Sequence, residues 1–385
     1  MKRLFLLLLL AGCKTVAPPG YTILLGNLHS QTNHSDGGYP VDACNHAERP
    51  QSGTFGPSDA YAMAREQAGL SFLLTSEHNH MFDGSTATRA DATLAEVRAL
   101  FHSGLDAAEL ERHAHPEFIA MYGVEFGVIA KGGHINIVNA TRLPTWERDA
   151  QGALLGDVEV GKYDYRALYQ AMRAHAWIGQ FNHPEKDQFA IDDVPLAVDP
   201  DGLEVMALCE VANSSAFSTS LDESDTKLQT FAATCDRLLL AGYRVSPTSN
   251  QDNHCANWGL SAPNRTGVLV TGPGIEAFYE ALRARRTFAT TDKGSAIVLR
   301  SGEHLMGDIL AHAGPLAITV EHDGPDAIAK VEIVHGEIGA AKTEVVARTM
   351  TATIDVPARG RHFYYARITE TDGTKLWSAP LWVDP

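Results

Sequence analysis

The sequence predicts an α/β fold over residues 21–295 followed by a small C-terminal β-sandwich over 296–385, and three observations carry that expectation. Short apolar runs alternate with longer amphipathic stretches through the first 295 residues, the pattern of a chain that wraps helices around a parallel sheet. Beyond that point alternating and β-branched runs are separated by Gly, Asp and Pro turns, which is the pattern of a sandwich. Histidines and carboxylates recur at the ends of the apolar runs, and parallel strands in a barrel bring such ends onto one face.

The chain opens with Lys2 and Arg3, the apolar run Leu4–Leu10, and Leu10-Ala11-Gly12-Cys13. That run is far below the roughly 20 residues that span a bilayer, so it reads as a processing segment. Its end resembles a bacterial lipobox: residues 1–12 are expected to be a removed signal, Cys13 the lipidated residue, and 13–20 a tether to the bacterial envelope. Strands are expected at Thr22–Leu25, Ser71–Thr75, Phe118–Val124, His134–Val138, Ala176–Phe181, Gly202–Glu210 and Tyr243–Ser246. Between them, helices are expected at Ala60–Gln67, opened by Pro57-Ser58-Asp59, at Leu94–Ser103, at Tyr165–Ala174 and at Glu223–Ala241, closed by Gly242. The later β-runs end in a segment whose Trp377 and Trp382 suit either a sandwich edge or a carbohydrate platform.

Charge narrows the function. With 31 Lys and Arg against 47 Asp and Glu the net charge is -16, which provides no basic surface for a nucleic-acid duplex. The 17 histidines are many for 385 residues, and imidazole is the commonest metal ligand. Cys44, Cys209, Cys235 and Cys255 permit two disulfides in three pairings, or buried thiols.

The chemistry-bearing segments are Gly26-Asn27-Leu28-His29-Ser30-Gln31, Ser35-Asp36-Gly37, Glu77-His78-Asn79, Gly123-Val124-Glu125, Gly133-His134, Asn182-His183-Pro184 and Asp252-Asn253-His254. Mixed imidazole and carboxylate shells suit borderline divalent cations, and a carboxylate can bridge two of them about 3.5–4 Å apart. Together these segments resemble the polymerase and histidinol phosphatase (PHP) superfamily of metallohydrolases, most closely its exported CehA/McbA-like branch. The resemblance implies a distorted (β/α)7 TIM-like barrel with two or three divalent ions, Zn, Mn or Fe. Carried over by motif, the ligands are His29, Asp36, His78, Glu125, His134, His183, Asp252 and His254, with Glu125 bridging. Glu77 and His254 are the implied proton-transfer residues. By the same analogy His29, Glu125 and Asp252 surround one ion, Glu125, His134 and His183 a second, and Asp36, His78 and His254 a third. Gln31 departs from the His-x-His pattern, and a neutral amide is a poorer ligand than imidazole, so it is expected as a weak metal or substrate contact.

The activity this implies is phosphoester hydrolysis by a metal-activated water, on a small-molecule or cell-envelope substrate. Carboxyl-ester or carbamate hydrolysis uses the same cage, and a non-catalytic glycan-binding lipoprotein is the reading from another class. Arg285, Arg286, Asn182 and Asn213 are candidate substrate contacts, and His34, His46, His80 and His175 could reach the site.

Overall fold

The computed structural model describes residues 16–46, 49–130 and 132–385. Cys13 and the expected signal 1–12 lie outside the described residues. Val16 is buried in the same apolar cluster as Leu299, Leu310 and Val383, so the expected tether is already packed against the fold from that residue onward. Among the described residues no helix is long and apolar enough to cross a membrane.

Strands Thr22–Asn27, Phe72–His78 and Ile119–Val128 run parallel, linked by helices Pro57–Glu66 and Leu94–Ala114, as the alternation of patterns predicts. The second helix starts at a capping box between Thr93 and Glu96, and runs eleven residues beyond the expected Ser103. Gly104 reads as a stop in the sequence but serves close packing: a Cβ there would lie 2.1 Å from the Tyr122 ring.

The sheet is mixed, which corrects the expectation of parallel strands throughout. Gly133–Ile137 follows Ile119–Val128 after residues 129–132, too short a link for the crossover of a dozen or so residues that a parallel pair requires, and it pairs antiparallel. It is also antiparallel to Gly179–Asn182, beyond which Met206–Ser214 and Ser246–Asn250 continue in parallel. On the other flank Thr22–Asn27 pairs antiparallel with Arg265–Val270, which pairs antiparallel with Thr287–Thr290. The 246–250 strand comes round to meet this flank through side chains: Ser249 N donates to Thr266 Oγ1 at 2.9 Å, and Thr287 Oγ1 to the Pro247 carbonyl at 2.8 Å.

Two local expectations change. Residues 200–205 form a helix, whose first turn is capped by the Asp199 carboxylate accepting from the backbone of Asp201 and Gly202, so the strand begins only at Met206. The expected helix over 223–241 is confined to Ala232–Ala241, with a short strand at Leu228–Thr230 before it.

Toward the C-terminus, Ala296–Ser301, Gly314–Asp323 and Thr351–Val356 form a separate antiparallel sheet. Ile328–Glu337, His362–Glu370 and Lys375–Ser378 instead extend the main sheet, joined to it where Lys375–Ser378 pairs with Thr287–Thr290. Ile297, Leu316, Ile333, Ala366 and Ile368 share one buried cluster with Leu269 and Phe288. Trp377 and Trp382 are 6% and 1% exposed, so neither offers a platform to a sugar.

Candidate metal centre

Strand ends deliver the cluster. At the end of the first strand Asn27 Oδ1 accepts from both His29 N and Gln251 N, and Asp252 N donates to the His29 carbonyl at 2.9 Å. These bonds stitch the turn carrying His29 to the one carrying Asp252 and His254. A disulfide between Cys44 and Cys255 ties the loop after Asp36 covalently to the segment carrying Asp252 and His254, and a second joins Cys209 to Cys235. Of the pairings the sequence left open, this one clamps the residue after His254 to the loop that follows Asp36.

Three ligand groups result, each with its ligand atoms within 4.8 Å of one another: His29, Glu125 and His183; His78, Glu125 and His134; Asp36, His78 and His254. All eight expected ligands converge, since Asp252 Oδ1 lies 3.0 Å from His29 Nε2. The grouping differs from the motif analogy in that His183 joins His29 while His134 joins His78. Both groups share Glu125, whose Oε1 is 3.1 Å from His29 Nε2 and 2.9 Å from His134 Nδ1, while Oε2 is 3.5 Å from His78 Nδ1. His78 presents its other nitrogen to Asp36 at 3.7 Å, and His254 Nε2 faces the same Asp36 oxygen at 3.5 Å.

These short distances are not hydrogen bonds throughout. Asp36 Oδ1, His78 Nδ1, His134 Nδ1 and Asp252 Oδ1 are buried with no hydrogen-bond partner. Burying a polar atom unpaired costs about 1–3 kcal/mol, and each of these four faces a ligand-type atom of the cluster: Asp36 Oδ1 faces His78 and His254, His78 Nδ1 and His134 Nδ1 face Glu125, and Asp252 Oδ1 faces His29, the arrangement of side chains able to hold cations. The donor set, imidazole with carboxylate, fits a borderline divalent ion. His183 and Asp252 also hold left-handed backbone, φ 28° and 52°, a conformation that non-glycine residues keep only under constraint.

Electrostatics agrees with this geometry. Burial opposes charge on His29, yet the carboxylates of Asp252, Glu125 and Glu210 outweigh it and hold its pKa well above the usual value. Burial likewise opposes charge on His254, which Asp36 above all raises to about 10. His183 is raised by Glu125, Asp252 and Glu210 against its burial, whereas burial dominates at His134 and lowers it. Glu125 stays well below the carboxylate range despite burial because three histidines surround it.

Other expected residues take supporting places. Glu77 is fully buried, and its oxygens accept from Thr32 N, Thr32 Oγ1 and Ser35 Oγ, which braces the loop between Gln31 and Asp36. Gln31 Nε2 donates to Glu125 Oε2 at 2.6 Å and Asn182 Nδ2 to Glu125 Oε1 at 2.8 Å, one amide on each carboxylate oxygen. His254 Nδ1 lies 2.9 Å from the Asp252 carbonyl; donating there, it leaves Nε2 with a ligand's lone pair. Arg286 is bound to Asp308 and to carbonyls of Leu305 and Met306, and Arg285, bonded to the Arg244 carbonyl, lies 5.9 Å from the centre of the Trp382 ring, so both serve the joint with the C-terminal strands. His34 bonds Tyr122, and His80 stacks on Trp146 beside His78. The residue that sequence reading missed is Glu210, 3.1 Å from His29 Nδ1; its position at the end of an expected strand was the available signal.

No family model matches the chain, and no curated protein does. Among solved structures it is similar to a two-domain protein from Bacteroides vulgatus ATCC 8482 containing a predicted PHP-like metal-dependent phosphoesterase, with 14% identity over 97% of this chain and 98% of that one, at a TM-score of 0.47. It is also similar to the lesion-specific endonuclease PfuEndoQ from Pyrococcus furiosus, with 11% identity over 68% of this chain and 56% of that one, at 0.38. Both superpositions are loose, and the chemistry of the site rests on its own side chains.

Proposed function

We propose that this chain is a divalent-metal-dependent phosphoesterase of the PHP type, its curved sheet a distorted barrel, held on the bacterial envelope by lipid at Cys13. The observation that carries the reading is Glu125, shared by two ligand groups, with His78 Nδ1 and His134 Nδ1 turned toward it and buried without a hydrogen-bond partner. His29, His183 and Asp252 with Glu125 would hold one ion; His134 with Glu125, and Asp36 with His254, would complete the remainder, His78 standing between them. Divalent ions held there would supply an ionised water near neutral pH and offset charge on phosphoryl oxygens. The chain's part is to orient: Gln31 and Asn182 fix the plane of the Glu125 carboxylate, and the Asp252 carbonyl fixes the His254 ring. The two disulfides suit an oxidising compartment, which supports the envelope assignment, and the acidic surface favours a small or envelope-borne phosphoester over a nucleic-acid duplex.

The test is a panel of aryl phosphomonoester, aryl phosphodiester and aryl carboxyl ester with Mn²⁺ or Zn²⁺ added to the purified chain. Turnover of a phosphate class, lost in Glu125→Gln and His183→Ala together with bound metal, is the expected result. Turnover of the carboxyl ester alone would transfer the assignment to ester or carbamate hydrolysis. Envelope anchoring is checked separately by fractionation, where Cys13→Ala should release the protein from the membrane pellet.

A further inference from the structure

Glu210 belongs to none of the ligand groups, yet four donors converge on its carboxylate. Oε1 accepts from His29 Nδ1 at 3.1 Å and Asn250 Nδ2 at 2.9 Å, and Oε2 from the His183 backbone N at 2.7 Å and Asn213 Nδ2 at 3.3 Å. The side chain is completely buried. A carboxylate has about four lone-pair sites, and the four contacts here occupy them, so no site is left for a substrate or an ion. Two of its four donors lie on candidate ligands of the same group, His29 and His183.

We propose that Glu210 is the positioning residue of the His29–Glu125–His183 group, a single carboxylate that sets two ligands of one ion; the proposal rests on the metallohydrolase reading above. On His29 it accepts the hydrogen bond of Nδ1–H and so favours the tautomer whose Nε2 is directed at the position between Glu125 and Asp252. On His183 it takes the backbone N–H and pins a residue in left-handed backbone. The strand carrying it is clamped in turn, because the preceding residue, Cys209, is bridged to Cys235 of helix Ala232–Ala241. Outer carboxylates of this kind orient ligating imidazoles and raise their basicity, and losing one costs about ten- to a hundredfold in metal affinity.

The test uses the full chain as wild type, Glu210→Gln and Glu210→Asp, titrated with Zn²⁺ against a chromophoric chelator, with the His29 imidazole followed by two-dimensional ¹H–¹⁵N NMR. Gln keeps the size but offers one acceptor oxygen and turns an NH₂ group toward donors. Glu210→Gln is expected to lose about ten- to a hundredfold in Zn²⁺ affinity and to change the His29 tautomer signal, with Asp restoring part of both. Unchanged affinity with an unchanged His29 signal in the Gln variant would overturn the proposal alone. Wild type that takes up no Zn²⁺ would overturn the underlying reading and this proposal with it. If Glu210→Gln does not fold, Zn²⁺-loaded wild type decides: His29 protonated at Nδ1 upholds the assignment, and His29 protonated at Nε2 refutes it.

Discussion

His29 Nε2 faces carboxylate oxygens of Glu125 and Asp252 at 3.1 and 3.0 Å, an arrangement that holds only with positive charge between them. Without metal that charge is a proton, since burial is outweighed at His29, His183 and His254 by neighbouring carboxylates that raise all three. A raised folded pKa stabilises the fold fully below the unfolded value of about 6.5 and loses that contribution as pH rises through the folded value, about 10 for His254. Ligation needs neutral imidazole, so metal uptake at pH 7 should release protons, and affinity should climb with pH toward about 10. Calorimetry in two buffers of different ionisation enthalpy measures this; zero release would contradict it. Glu77 makes a second residue-scale prediction. A general acid or base is worth about 10²–10⁴ in rate, whereas a loop brace is not, so Glu77→Gln should keep kcat close to wild type. Glu77→Ala, which strands three donors, should lower the melting temperature through a cost of about 1–3 kcal/mol.

At the scale of elements, the site depends on two turns that the sheet alone does not bind together. The His29 and Asp252 turns are joined by backbone bonds, and Cys44–Cys255, with a sequence separation of 211 residues, ties the loop after Asp36 to the Asp252 turn. In the chain-entropy account a loop of that size is worth about 5 kcal/mol. Cys44→Ser with Cys255→Ser should therefore lower the melting temperature and, because Cys255 adjoins His254, weaken metal binding as well. Scanning calorimetry and chelator competition read the two effects, and stability lost with affinity intact would show that the disulfide does not position the site. Helix Leu94–Ala114 shows why element ends escape sequence reading: Gly104 looks like a terminator, but only the contact with Tyr122 explains its place.

For the whole molecule, the main sheet passes without a break from Thr287–Thr290 into Lys375–Ser378, and Leu269 and Phe288 are buried among C-terminal side chains. A chain ending at residue 295 would expose that strand edge and strip those residues of their cover. It should be insoluble or molten, which circular dichroism and dye binding would reveal; a cooperative, metal-binding 21–295 fragment would refute the prediction.

Read alone, the sequence determined where along the chain the ligand-type residues sit, near strand ends, and the resemblance of their motifs named His29, Asp36, His78, Glu125, His134, His183, Asp252 and His254 as candidates. It also placed the first strands and helices, because alternation and capping are local signals. The tertiary structure alone decided which ligand stands beside which, which cysteines pair, and that Gly133–Ile137 turns back antiparallel. It alone made Glu210 part of the site. Those outcomes depend on distances between segments far apart in the chain, and such distances are set by packing and hydrogen bonding across the sheet, of which local sequence carries no record.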